Sequence, residues 1–69
     1  ALQEYLQSRG EEPPKYKQIS RTGPDHDPDF WVEVFLDSGL RAVGNGSTKR
    51  MAETKAAEQA LEKIKNINE

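Results

Sequence analysis

In residues 30 to 37 every second residue is apolar, and this alternation constrains the fold more than any other feature of the sequence. The even-numbered positions are all apolar: Phe30, Val32, Val34 and Leu36. Because successive side chains of a strand point to opposite faces of a sheet, this set predicts a strand whose even-numbered residues face the core. Trp31 and Phe35, at odd-numbered positions, are therefore expected on the outer face of the sheet.

Two further strands are predicted around this one, at residues 15 to 21 and at residues 40 to 43. The earlier strand alternates poorly, and its apolar residues are Tyr16 and Ile19. Residues 22 to 29 are rich in Gly, Pro and Asp, which is typical of a loop. The Asp-Ser-Gly sequence at residues 37 to 39 predicts a hairpin turn between the last two strands.

Helical periodicity is found at both ends of the chain, at residues 1 to 9 and at residues 48 to 66. The first helix has an apolar stripe at i, i+3 and i+4, formed by Leu2, Tyr5 and Leu6. Gly10 suits the position after a helix end, and the two prolines that follow prevent the helix from continuing. The second helix has a longer stripe with many small residues, which would let it lie close to a sheet: Ala52, Ala56, Ala57, Ala60, Leu61 and Ile64.

The predicted order is helix, three antiparallel strands, helix, without alternating βαβ units. This order predicts an α+β domain of two layers, with a three-stranded antiparallel sheet and two helices packed on one of its faces. A chain of 69 residues is long enough for one small domain, so residues 1 to 69 are treated as a single unit. Because the helical pattern is already under way at Ala1, we expect the chain to be a fragment of a larger protein.

Residues 44 to 55 contain the most informative group of polar residues. Gly44 and Gly46 are interpreted as a loop, because glycine adopts positive φ without steric cost. Either Ser47 or Thr48 can then cap the helix that follows. Its first turn carries Lys49 and Arg50, although the positive end of a helix dipole favours acidic residues. These two cations suit a site for an anion such as phosphate, and they are equally compatible with solvated surface charges.

The composition excludes several classes of site. Hydrophobic and charged residues make up 33% and 32% of the chain, so the core must be thin. The sequence has no cysteine and one histidine, which leaves no disulfide, no metal-ligand set and no expected cofactor, and favours a reducing compartment such as the cytoplasm. No apolar run is long enough for a membrane span.

The net charge of −2 argues at first against a nucleic-acid partner. The charge is unevenly distributed, however. Residues 44 to 55 contain three cations and one carboxylate, whereas the loop at residues 24 to 29 contains three aspartates. Since charges are screened over roughly 8 Å at physiological ionic strength, a docked phosphate would respond to the local patch more than to the total charge.

Six short motifs follow one another along the chain: Leu2-Gln3-Glu4 with Gln7, Pro14-Lys15-Tyr16, Gly23-Pro24-Asp25-His26, Phe30-x-Val32-Glu33-Val34, Gly44-x-Gly46-x-Thr48-Lys49-Arg50-x-Ala52, and Ala56-Ala57. Together they resemble the double-stranded RNA-binding domain, specifically the C-terminal domain of bacterial ribonuclease III. The resemblance covers nearly the whole chain. Each piece alone is weak evidence, and the combination in this order and spacing is strong.

The resemblance implies three sets of RNA contacts on one face. Such domains span about 16 base pairs of an A-form duplex, touching two minor grooves and the phosphates between them. By this likeness Gln3, Glu4 and Gln7 would contact 2′-hydroxyls and base edges in one minor groove. Pro24 and His26 would enter the next minor groove. The phosphate clamp would be formed by Ser47, Thr48, Lys49 and Arg50.

The sequence departs from the family pattern in three places. Glu53 stands where many such domains have a third basic residue, Ser47 occupies a position that is often basic, and the loop around His26 carries the aspartates. Glu53 also follows Lys49 by one helical turn, so it is expected to lie near the same phosphate and within reach of Lys49. These departures weaken the electrostatic part of binding.

The resemblance therefore implies a non-catalytic module that binds double-stranded RNA by shape, joined to the nuclease domain of a ribonuclease III-type parent. The isolated domain is expected to be monomeric. No carboxylate cluster with metal-ligand spacing supports hydrolysis by this fragment itself. One alternative is a degenerate domain of the same fold that binds proteins, although such copies should lack the Lys-Arg pair or the Gly-Pro-x-His loop. Another is a single-strand binder stacking bases on Trp31 and Phe35, which Glu33 and Asp37 oppose.

Overall fold

The computed structural model describes residues 2 to 67, which form five elements. In chain order these are α1 (Leu2–Ser8), β1 (Lys15–Thr22), β2 (Asp29–Phe35), β3 (Arg41–Gly46) and α2 (Lys49–Ile67). The strands form one antiparallel sheet in the order β1-β2-β3. Both helices pack on the same face of this sheet, because Leu2 of α1 and Ala56 of α2 share one core with Val34. The predicted α+β architecture is confirmed.

The core-facing side of β2 follows the predicted alternation. Val32 and Val34 are completely buried, and Leu36, just after the strand, is 7% exposed. Phe30 at the start of the strand is only half-buried. The strand ends at Phe35 rather than at Asp37, because the hairpin begins earlier: the Leu36 amide donates to the carbonyl of Leu40 at 3.0 Å.

Helix α1 ends as its sequence predicts. Gly10 has a φ of +72°, and its amide donates to the Gln7 carbonyl at 3.1 Å. The next amide, of Glu11, donates to the Leu6 carbonyl at 2.9 Å. These two bonds satisfy carbonyls that the helix end leaves free, in the pattern known as the Schellman motif. The chain is thereby turned away from the helix toward β1.

Strand β1 differs from an ordinary edge strand through a β-bulge. Gln18 pairs with Val32 and Ser20 pairs with Trp31, so Ile19 has no partner on β2. The extra residue explains why the sequence of this strand alternates poorly, since the facing of side chains changes at the bulge. Every residue of β1 is exposed, including Tyr16 at 39% and Ile19 at 47%.

The interpretation of Gly44 and Gly46 as a loop with positive φ is wrong. Both residues belong to β3, which runs to Gly46 instead of ending at Val43, and neither has positive φ. The glycines are needed because α2 lies against the strand. A Cβ added to Gly44 would collide with backbone atoms of Lys55 and Ala56, and one added to Gly46 would lie 2.7 Å from the Cβ of Met51.

Helix α2 places its alanine stripe against the sheet as predicted. Ala52, Ala56 and Ala60 are completely buried. The other three predicted stripe residues, Ala57, Leu61 and Ile64, are partly buried against the same core. Among residues 2 to 67, neither helix is long and apolar enough to cross a membrane.

Candidate nucleic-acid interface

The start of α2 is held by a threonine cap. The hydroxyl of Thr48 accepts the Met51 amide at 3.1 Å, and the Thr48 carbonyl accepts the Ala52 amide at 3.0 Å. Thr48 is therefore the N-cap residue, which resolves the sequence alternative between Ser47 and Thr48. Ser47 instead donates its hydroxyl to the Sδ of Met51 at 3.2 Å.

Lys49 and Arg50 occupy the first two positions of α2, and both are exposed. The first turn contains no acidic residue. Within residues 2 to 66, no carboxylate comes within ion-pairing distance of either side chain. Two uncompensated cations therefore adjoin the positive end of the helix dipole, an arrangement that an anion would stabilise.

The loop between β1 and β2 presents His26 at its tip. The Asp27 amide donates to the Pro24 carbonyl at 2.9 Å, which closes a four-residue turn with His26 at its third position. Pro24 and His26 are both exposed. Gly23 permits the turn, because it has a φ of +84° and an added Cβ would lie 2.7 Å from the Asp27 carbonyl oxygen.

Two of the three loop aspartates have partners. Asp25 lies 3.9 Å from the guanidinium of Arg21, although both side chains are well exposed. The carboxylate of Asp29 accepts the side-chain amide of Asn45, with distances of 3.1 and 3.3 Å to its two oxygens. Two of these carboxylates, those of Asp25 and Asp29, therefore interact with other residues of the protein.

The polar face of α1 lies open to solvent. Gln3, Glu4 and Gln7 are exposed, whereas Leu2 and Leu6 on the opposite side are each 2% exposed. A shallow groove of about 280 Å³ follows this polar face, lined by Gln3, Gln7, Glu11 and Pro13. The helix thus presents three side chains that can form hydrogen bonds on its exposed face.

The sheet brings two of the predicted contact sets to one end and leaves the third at the other. Phe30, just after the loop, pairs with Gly46, just before the cap of α2. The loop and the start of α2 therefore lie at the same end of the sheet. Leu2 and Leu6 of α1 pack with Leu36 near the opposite, hairpin end. The predicted contact sets therefore lie near both ends of the sheet.

Glu53 does not form the ion pair with Lys49 that its spacing allows; no such contact occurs in the described part of the chain. Its side chain is half-buried on α2. There it acts on Tyr16, whose pKa is raised first by burial and second by the negative charge of Glu53. The carboxylate of Glu53 therefore interacts with Tyr16 and not with Lys49.

Trp31 and Phe35 lie on the outer face of the sheet, as predicted, and both are half-buried. Arg41 covers Phe35, with its guanidinium carbon 5.0 Å from the ring centroid. The indole N–H of Trp31 donates to the hydroxyl of Thr22 at 3.4 Å, a long hydrogen bond. These neighbours leave neither ring fully free to stack on a base.

Asn45 is a residue that sequence reasoning missed. Between two glycines its side chain carries no recognisable signal, and its partner Asp29 is 16 positions away. Only the register of β2 and β3 brings the two together.

The family model described as "Double-stranded RNA binding motif" matches residues 1 to 64. The curated relatives include Ribonuclease 3 of Anaplasma marginale (strain Florida), which is 45% identical over 67 residues, or 97% of this chain and 29% of the relative. Ribonuclease 3 of Jannaschia sp. (strain CCS1) is 47% identical over 64 residues, or 93% of this chain and 28% of the relative. The chain therefore spans less than a third of these relatives.

Among solved structures, the first dsRBD of protein HYL1 has a TM-score of 0.73 to this chain and 36% sequence identity. The match covers 94% of this chain and 92% of that one. The second dsRBD of DRB4 has a TM-score of 0.65, again with 36% identity, and covers 94% and 90% of the two chains.

Proposed function

Because the chain belongs to the double-stranded RNA-binding motif family, we propose that it binds A-form duplex RNA by shape and is the non-catalytic RNA-binding module of a ribonuclease III-type endonuclease. The observation that carries this proposal is the start of α2. Lys49 and Arg50 stand exposed beside a capped helix N-terminus without a carboxylate partner among the described residues. Backbone N–H groups, the helix dipole and two cations then all favour a phosphate.

The three contact sets together account for recognition of an RNA duplex. The clamp at Ser47, Thr48, Lys49 and Arg50 would hold phosphates across the major groove. The loop with Pro24 and His26 would enter one minor groove, and Gln3, Glu4 and Gln7 of α1 would enter another. Because the 2′-hydroxyl lines the minor groove of RNA, these side chains can distinguish RNA from DNA.

Binding by this arrangement would depend little on base sequence. Phosphate contacts position a protein on a duplex but carry no sequence information. The spacing of the contact sets along the domain would instead have to match the repeat of the grooves, so the duplex would be recognised by its shape.

The activity of the whole protein follows from the relatives and is part of the proposal. Both relatives named above are Ribonuclease 3, and this chain corresponds to less than a third of each. We assign RNA binding to this segment and phosphodiester hydrolysis to a nuclease domain elsewhere in the same protein, in the cytoplasm. The isolated segment would be a monomer and would leave duplex RNA intact in the presence of Mg²⁺.

The test is a gel-shift titration of duplex RNA with the double variant Lys49→Ala/Arg50→Ala. The matched control is Lys15→Ala/Lys17→Ala, which removes two cations from the outer face of the sheet, opposite Phe35 and Glu33. Loss of two phosphate contacts should weaken binding at least about tenfold and reduce the slope of log affinity against log salt by about two. The control should retain most of the binding, and circular dichroism should show both variants folded.

Three results would contradict the proposal. If the clamp variant binds as well as the wild type, Lys49 and Arg50 do not hold phosphate. If the wild-type chain does not bind duplex RNA at all, the alternative of a protein-binding domain replaces the proposal. If a nuclease-free preparation cleaves the duplex with Mg²⁺, the segment is catalytic.

A further inference from the structure

The carboxylate of Asp29 and the amide of Asn45 form a link between two of the RNA-contact sets. Asp29 is the first residue of β2 and ends the β1–β2 loop, residues 23 to 28, which carries Pro24 and His26. Asn45 is in β3, two residues before Ser47 and three before Thr48. The hydrogen bond between their side chains therefore joins the base of the loop to the strand that leads into α2.

The geometry of this link follows from the register of the sheet. Asn45 pairs directly with Trp31, and Asp29 is the residue two positions before Trp31 on the same strand. The two side chains are thus diagonal neighbours on one face of the sheet, within reach of each other. The Asn45 amide nitrogen lies between the two carboxylate oxygens of Asp29, at 3.1 and 3.3 Å.

Weaker contacts support the same end of the loop. The Thr22 hydroxyl lies 3.4 Å from the Asp29 carbonyl oxygen, and it accepts the indole N–H of Trp31 at the same distance. Thr22 and Asp29 are the last ladder pair before the loop. Because these two bonds are long, the charge-assisted bond from Asn45 is the shortest of the side-chain hydrogen bonds described at the base of the loop.

We propose that Asn45 is a positioning residue, which fixes the minor-groove loop relative to the phosphate clamp by holding Asp29. This proposal rests on the function proposed above and names a residue that acts within it. Asn45 lies on the face of the sheet that points away from both helices, because it shares that face with Trp31. It acts through the loop and does not touch the RNA.

This role explains why an acidic residue stands beside an RNA-binding loop. A free carboxylate at position 29 would repel the phosphates that flank the minor groove. The amide of Asn45 leaves this charge in place, but it holds the carboxylate on the outer face of the sheet, where the carboxylate ties the loop to β3. The loop then enters the groove at a set distance from Lys49 and Arg50, so little conformational freedom is lost on binding.

The experiment measures binding to a duplex RNA of at least about 16 base pairs, long enough for both minor grooves. Asn45→Ala should bind about three- to tenfold more weakly, as expected for one charge-assisted hydrogen bond in a partly exposed place. Asn66→Ala, at an exposed asparagine near the end of α2, is the matched control and should bind like the wild type.

Two further sets of variants separate positioning from other roles. In a His26→Ala background, Asn45→Ala should cause a smaller additional loss, because its effect passes through the loop and only Pro24 remains there to contact RNA; in a Gln3→Ala background the full loss should remain. Asn45→Asp should bind most weakly of the single variants, since two carboxylates then face each other. The reversed pair Asp29→Asn/Asn45→Asp should recover binding relative to Asn45→Asp, because an amide again meets a carboxylate.

The free protein provides a readout that does not depend on RNA. In nuclear magnetic resonance spectra, Asn45→Ala should shift and broaden the backbone amide signals of the non-proline residues between 23 and 29 and leave those of α1 unchanged.

An equal loss from Asn45→Ala in the His26→Ala and Gln3→Ala backgrounds would overturn the proposal, as would unchanged binding or unchanged loop signals. A wild-type chain that fails to bind duplex RNA would refute the proposed function instead, while the loop signals would still show whether Asn45 orders the loop.

Discussion

Gly44 lies where α2 packs against β3, and its missing side chain is a condition for the fold. An added Cβ would meet the backbone of Lys55 and Ala56 and lie 2.7 Å from the carbonyl oxygen of Ala52. Backbone atoms in the middle of a helix cannot move aside as a flexible side chain can. The close contact therefore makes β3, and with it the start of α2, depend on a single glycine.

Gly44→Ala is expected to destabilise the domain by about 3 kcal/mol or more, because α2 must lift from the sheet. The measurement is urea or thermal unfolding followed by circular dichroism. Gly39→Ala is the comparison: Gly39 has a φ of +93° but open space around it, so only backbone strain of about 1–2 kcal/mol is expected. Equal losses in the two variants would show that contact with α2 does not decide the requirement for Gly44.

Tyr16 makes stability depend on pH in the alkaline range. Its pKa is raised above the ordinary 10.0, first by burial and second by Glu53. A phenol with a raised folded-state pKa keeps its proton better in the folded state than in the unfolded state. Its contribution to stability is therefore fully present below about pH 10 and is lost as pH rises through the folded-state pKa.

Glu53→Gln should lower the folded-state pKa of Tyr16 and reduce the alkaline loss of stability, since one of the two causes of the shift is removed. A Tyr5→Phe background leaves Tyr16 as the only tyrosine, so phenolate absorbance reports on it alone. Glu62→Gln, at an exposed position on the same helix, should change neither quantity. An unaltered Tyr16 pKa in Glu53→Gln would mean that the carboxylate does not act on this phenol.

At the scale of an element, α2 combines a good cap with an unfavourable first turn. Thr48 satisfies the Met51 amide, yet the turn that follows holds two cations and no acid. The last turn carries Lys65, which the helix dipole favours. The helix therefore gives up stability at the end where the phosphate is proposed to bind, and an anion docked there would restore it.

Lys49→Glu should raise the free energy of unfolding by about 0.3–1 kcal/mol, because an acid then meets the positive end of the dipole. The same variant should lose most of its affinity for duplex RNA. Lys65→Glu makes an identical charge change at the other end of the helix and should lower stability by a similar amount. Unfolding titrations at low salt measure both effects. If Lys49→Glu instead destabilises the protein, Lys49 does not lower the stability of the helix start, and the argument that this residue favours RNA binding at the expense of stability is wrong.

At the scale of the whole molecule, the two layers hold the three proposed RNA-contact sets in one frame. The loop and the clamp share one end of the sheet, and α1 is fixed over the other. Such a frame can match the groove spacing of one kind of duplex without contacting many bases. Discrimination between RNA and DNA is then expected to come from the two minor-groove sets, and overall affinity from the clamp.

Gln3→Ala and His26→Ala should each weaken binding to duplex RNA by about fivefold, and their losses should add in free energy, because the two sites lie at opposite ends of the frame. Neither change should strengthen binding to duplex DNA. Gln59→Ala, at an exposed glutamine of α2, is the control. Titrations with RNA and DNA duplexes of equal length measure the effect. Equal affinity of the wild-type chain for both duplexes would contradict this assignment.

The features that the sequence by itself determined are those with local causes. The alternation of β2, the alanine stripe of α2 and the cap at Gly10 each arise from residues that are near one another in the sequence of a single element. The cations at the start of α2 and the turn around His26 belong to the same class. Such signals predict the element order, the core face of each element and the exposed residues of the candidate site. The reason is that, within a helix or strand, the spacing of two residues in the sequence determines whether their side chains lie on the same face.

The tertiary structure alone decided the features that join distant residues. Gly44 and Gly46 look like a loop until α2 lies against them, and the bulge at Ile19 exists only relative to β2. In the same way, the charge of Glu53 acts on the pKa of Tyr16 and, within the described residues, Glu53 forms no ion pair with Lys49, and the amide of Asn45 donates to the carboxylate of Asp29. Each outcome depends on which strands pair and in what register. That choice is made by the packing of the whole core, and no short stretch of sequence contains it.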